Sequence, residues 1–218
     1  MPRAIAEAQS LSEPHRPTPQ GRCPIGGPMR RRDVSGDGRW LLRSETRAEH
    51  DAVDALYARL DVRDASDLRT LLRAHASALA PLVPSLEAVW PDACSAAAVA
   101  RLIRSDLTTL GDDGAPSPPL VAARAFDGAC PLGVAYVVTG AHLGLKLLER
   151  RWRGAADPRV RAAGAYLRSG HQKGAWPAVL AALAPLAPRS PACLDGARRS
   201  FALYADAFRA HAPPLEDP

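Results

Sequence analysis

The chain has 218 residues, 47% of them hydrophobic and 23% charged, with a net charge of +5 and a pI near 9.4. That length and balance suit a single globular domain with a real core, and aromatics at 5% beside abundant alanine and leucine favour helix over sheet. There is no zinc-finger spacing, aromatic-interleaved basic run or basic zipper, so nucleic acid is not an expected partner, while an anionic small ligand or an acidic protein suits the charge.

Residues 1–38 are rich in proline, glycine, arginine and serine and carry no apolar period, so a disordered tail is expected there. Met29 offers a second start within it. The tail has no apolar core segment of the kind a secretory leader needs. From about residue 39 to 212 the chain reads as one helical domain, and 213–218 as a frayed end.

The first helix is predicted over Leu41 to Leu60. Leu42, Thr46, His50, Val53, Tyr57 and Leu60 recur at steps of three and four, which places them on one face. His50 stands where leucine is routine. Arg43 and Arg47 precede it by seven and three residues, on the same side of the helix. Two readings stay open from this pattern alone. One is a packed core histidine, which the pattern by itself favours. The other is an imidazole ligand for a metal-bearing apolar cofactor with acid groups.

A second helix is expected to be capped by Ser66 or Asp67 and to run to about Trp90, with a kink or break at Pro81 and Pro84. His75 lies on its apolar face and is the weaker ligand candidate, having no arginine at −7. A third helix spans about Ser95 to Leu110 and is stopped by Gly111. Its Asp106 sits among apolar neighbours and therefore needs an arginine or a helix N-terminus as partner. Residues 120–130 read as a short helix.

Pro131 to Arg153 has proline at its start and basic residues at its end, the polarity expected of a helix. Gly140 and Gly144 are four apart, on one side, and each costs about 1 kcal/mol against alanine. They permit either close helix packing or close approach of a ligand, and a bend. Further helices are predicted over 158–169, 175–184 and 191–211, with Phe201, Leu203, Tyr204 and Phe208 in the core. No strand-like alternation, internal repeat or apolar run of membrane-spanning length is read, so the fold class is all-α and no membrane is expected. Cys23, Cys94, Cys130 and Cys193 form no CxxC pair and read as reduced thiols of a cytoplasmic protein.

No nucleophile elbow, P-loop, dinucleotide fingerprint or HExxH motif is present. Two segments together resemble a family. LRSETRAEH is similar to the proximal-helix motif of heme oxygenases. TGAHLGLKLL is similar to the distal-helix motif of their bacterial, biliverdin-producing branch, the bacteriophytochrome-associated type, and SDLTTLG matches a segment common there. The order is right, and the resemblance covers about residues 39–211. It implies a heme-oxygenase-like helical bundle holding heme between a proximal and a bent distal helix. His50 would ligate the iron, and Arg43 and Arg47 would meet the propionates. Gly140 and Gly144 would let the distal helix lie against the porphyrin and so carry catalysis.

The implied reaction is cleavage of heme by O2 and electrons to biliverdin, CO and ferrous iron. Heme is then both cofactor and substrate. The chain has no flavin or nicotinamide motif, so the electron donor is external, a ferredoxin or flavoprotein reductase, with a bacteriophytochrome as acceptor of biliverdin. The alternative is a heme-binding or heme-sensing protein of the same fold without turnover. Two positions depart from the family. Ala141 stands where mammalian-type members have an aspartate. Leu145 stands where a second consecutive glycine is common, and is expected to add bulk beside the heme.

Overall fold

The computed structural model describes residues 38–89, 96–112, 126, 130–169, 175–184 and 190–213. All regular structure among them is helical, so the all-α reading holds. The helices are α1 (Gly38–Glu45), α2 (Arg47–Tyr57), α3 (Ala65–Leu79), α4 (Val83–Val89), α5 (Ala96–Thr109), α6 (Pro131–Trp152), α7 (Pro158–Ala162), α8 (Ala165–Ser169), α9 (Ala175–Leu183) and α10 (Pro191–His211). The expected tail (residues 1–37) and the short helix over 120–130, apart from Phe126 and Cys130, lie outside the described residues.

The predicted first helix is divided at Thr46. The Thr46 hydroxyl donates to the Leu42 carbonyl at 2.6 Å, while the amides of Thr46 and His50 still reach back four residues. The predicted second helix breaks where proline requires it. α3 ends at Leu79, and Ala80–Leu82, containing Pro81, is a single 3-10 turn leading into α4. Its cap is neither Ser66 nor Asp67. Asp64 accepts the amides of both, at 2.7 and 3.1 Å, while Asp67 turns back to accept the Asp61 amide at 2.8 Å. Gly111, with φ of 74°, ends the turn after α5 in the left-handed region, which has no steric cost for glycine.

Residues 158–169 form two helices rather than one. The backbone turns out of helix at Ala163, and Gly164 passes against the Trp152 ring so closely that a Cβ would lie 2.1 Å from Cζ2. Trp152 is held there by its Nε1–H, which donates to the Val160 carbonyl at 2.6 Å.

α10 and α6 form the axis of the bundle. α10 packs on α6, α3, α2 and α1, and α6 also packs on α9, α4 and α8. Leu68, Leu71, Leu72, Leu82, Leu86, Ile103, Leu145, Tyr166 and Phe208 are fully buried between these elements. Each such aliphatic or aromatic side chain contributes about 1.5–3 kcal/mol by leaving water.

The two long helices meet at their N-termini with almost no side chain between them. A Cβ on Gly133 would lie 2.0 Å from the Cys193 carbonyl oxygen, and one on Gly196 2.9 Å from that of Cys130. Cys130 and Cys193 are joined there by a disulfide across 63 residues. This corrects the reading of four free thiols. Sequence spacing says nothing of a pair brought together by two helix starts. Cys23 and Cys94 lie outside the described residues. Contrary to the sequence reading, α6 is long and apolar enough to cross a membrane by length and composition, with a mean hydropathy of 1.3 over its best window. Here 44% of that window is buried in the bundle.

Candidate functional site

His50 is not a core histidine. α2 lies at the edge of the bundle and has no fully buried residue, so membership of its apolar stripe does not imply enclosure. Leu42, Thr46 and Leu60 of that stripe are buried, and Val53 and Tyr57 pack partly against the core. The His50 side chain is 54% exposed. Its ring meets Phe201 of α10 edge to face, with centroids 5.8 Å apart. Nδ1 lies 3.3 Å from Asp54 Oδ2, one turn on, and 3.7 Å from Asp51 Oδ1. These are close approaches of charge along an exposed helix face, without a hydrogen bond to the ring.

α2 is tied to α10 by a charged contact as well. Arg198 Nε donates to Glu49 Oε1 at 3.0 Å and its Nη2 to the Glu45 carbonyl at 3.1 Å. Both α2 and α6 pack on α10, and among the described residues they do not pack on each other to any comparable extent.

On α6, Gly144 is exposed and a Cβ there would meet nothing within 4 Å. Leu143 and Leu147, on the same helix face, are 41% and 62% exposed. Gly140 is half-buried, and a Cβ there would touch Trp176 of α9 at 3.8 Å. Trp176 in turn packs on Tyr136 with ring centroids 5.5 Å apart. Close helix packing therefore does not account for Gly144, and only a side-chain contact accounts for Gly140.

Leu145 is buried, 1% exposed, and sits in the core. It does not add bulk to the Gly144 face, which corrects the expectation drawn from its position in the motif. One residue on a helix is about 100° of rotation, enough to carry it from the open face to the core. Ala141 packs partly on the core. Arg43 and Arg47 are both exposed. The Arg43 guanidinium lies 5.7 Å from the Trp40 ring centre, and Arg47 Nε lies 3.7 Å from Asp51 Oδ2.

A second group of polar aromatics was not read from the sequence as a unit. His75 of α3 is fully enclosed. Its Nδ1 lies 2.6 Å from the Tyr166 hydroxyl, and Tyr57, Tyr166 and Tyr204 meet its ring edge to face. The Tyr57 hydroxyl donates to the Tyr204 carbonyl at 3.1 Å. His142 of α6 is also buried, and its Nδ1 makes no hydrogen bond with any described residue. Burial drives the His75 pKa down to about 3, helped by His142, and that of His142 down to about 4. Both rings are therefore neutral at pH 7. His75 is a satisfied core histidine, as its sequence context favoured. The apolar setting of His75 was legible in its helix, but the arrival of Tyr57, Tyr166 and Tyr204 around it depends on which helices pack on α3.

Among the described residues there is no cluster of three or more histidine, cysteine or carboxylate side chains able to hold a metal ion. No family model matches the chain, and no curated protein matches it.

Proposed function

We propose that this protein is a heme oxygenase that takes heme between α2 and α6, with His50 as the iron ligand. One observation carries the reading. The imidazole lies outside the core, 54% exposed, beside Asp54 and against the Phe201 ring, where a ligand could reach it.

The residues present fit a flat apolar group. Gly144 offers bare backbone, and Leu143 and Leu147 offer apolar surface that is otherwise left to water. Arg43 and Arg47 are exposed and available to the propionates, for which guanidinium geometry is well suited. Bound heme would supply the iron chemistry that activates oxygen. The chain would hold it through His50 and bring α6 against its face. Electrons would come from an external reductase.

Ala141, packed on the core, brings no acid to the open face of α6. That observation favours a second reading, a protein that binds heme without cleaving it. Titration with hemin separates the outcomes. A Soret band that His50→Ala abolishes or shifts, followed by biliverdin on addition of ascorbate or a reductase, is the expected result. A Soret band without biliverdin selects the second reading. No Soret band, or one indifferent to His50→Ala, overturns both.

A further inference from the structure

The N-terminal half of α3 carries a polar stripe that the heme reading does not use. Ser66, Arg69, Thr70 and Arg73 follow at helical spacing and share one face. Together with Asp112 after α5 and His211 at the end of α10, they line an open cavity of about 530 Å3. That volume is ample for a small metabolite.

The hydrogen bonding of the cavity is unevenly spent. Arg73 and Asp112 satisfy each other, with Nε to Oδ2 at 2.6 Å and Nη2 to Oδ1 at 2.7 Å. Arg69 is different. Its Nε donates to the Leu110 carbonyl at 3.3 Å, and among the described residues no carboxylate pairs with it. Its two terminal nitrogens keep their donors. Thr70 is buried, 8% exposed, yet its hydroxyl makes no hydrogen bond with another described residue. Among the described residues, a half-buried guanidinium without a counter-charge and a hydroxyl with no protein partner thus both face the open cavity, where an anion could take from water the donors of each. His211 Nε2 and the Ser77 hydroxyl are hydrogen-bonded at 2.8 Å, and burial together with Arg73 lowers the His211 pKa, so it adds a polar wall rather than a charge at pH 7.

We propose that this cavity is a binding site for a small free oxyanion, a phosphate or carboxylate compound, held by Arg69 in a forked pair and by the hydroxyls of Thr70 and Ser66. Arg73 contributes its remaining nitrogen while its pairing with Asp112 fixes the wall. The site shares no residue with the heme reading and stands or falls separately from it.

Isothermal titration of the full chain with inorganic phosphate, and separately with malonate, at constant ionic strength tests this. Saturable binding of at least one is expected. Arg69→Gln should weaken it at least tenfold and Thr70→Val several-fold, while Arg104→Gln, an exposed change on α5, leaves it unchanged. Thr70→Val is close to isosteric and keeps the test open if Arg69→Gln folds poorly. No saturable heat with either anion, or wild-type affinity in both the Arg69 and Thr70 variants, overturns the site.

Discussion

Asp106 of α5 closes the start of α8 from across the bundle. Its Oδ1 accepts the Ala165 amide at 3.0 Å and its Oδ2 the Tyr166 amide at 2.7 Å. A buried carboxylate among leucines is thereby matched to two backbone donors that the first turn of a helix leaves unspent. Tyr166, positioned this way, presents its hydroxyl to His75.

Asp106→Asn preserves shape but sets an NH2 group against one of the two amides. It should lose about 2 kcal/mol, and Asp106→Ala more, because both amides are then buried unpaired. Urea unfolding of the two variants would measure this. A loss below about 0.5 kcal/mol in both would show that the contact does not hold α8.

The buried histidines set an acid limit. Their folded pKa values, about 3 and about 4, lie below the ordinary 6.5, so the unfolded chain binds more protons between these limits. Their stabilising contribution is therefore complete above pH 6.5 and is lost as pH falls toward 4. Each loses about 1.4 kcal/mol per pH unit through that window. Tm measured from pH 7.5 to 4.5 should fall, and His142→Gln should flatten the fall, since it removes one of the two titrations. An unchanged slope would mean that His142 takes up its proton equally in the folded and the unfolded chain.

The glycines separate structure from ligand. Gly133→Ala would drive a Cβ into the backbone of Cys193 and should cost about 3 kcal/mol or more. Gly144→Ala meets nothing within 4 Å and should stabilise the protein without heme by about 0.5–1 kcal/mol through helix propensity. If the heme lies on that face, the same change weakens hemin binding. Thermal melts and hemin titrations of the two variants give the pair of readouts. A Gly144→Ala protein that binds hemin as well as the parent removes α6 from the site.

The disulfide between Cys130 and Cys193 closes a loop of 63 residues. The chain-entropy estimate for such a loop is about 4 kcal/mol, and the double variant Cys130→Ser, Cys193→Ser should lose about 2–4 kcal/mol. Unfolding of the parent with and without dithiothreitol should show the same difference. Equal midpoints under both conditions would mean that the two cysteines do not pair in solution.

Much of the element order could be read from the chain because its causes are local. The starts of α6 and α10 are marked by Pro131 and Pro191, the end of α5 by Gly111, and the break after α3 by Pro81. Asp106 also announced its need: a carboxylate at an apolar position requires a partner. That the partner is the start of α8, about sixty residues on, depends on how α5 meets α8. The break at Ala163 and Gly164 went unseen for the same reason, since it is Trp152 that occupies the space a straight helix would take.

What the sequence alone determined is helical class, the punctuation between helices and the apolar faces, all properties of residues within a turn or two of one another. What the tertiary structure decided is which faces are covered. It left His50 outside the core over Phe201, put Leu145 inside, bared Gly144 and joined Cys130 to Cys193. Periodicity reports that a stripe is apolar. Whether a given member of it meets a helix, a ligand or water is set by the elements packed around it, and those are brought together from distant parts of the chain.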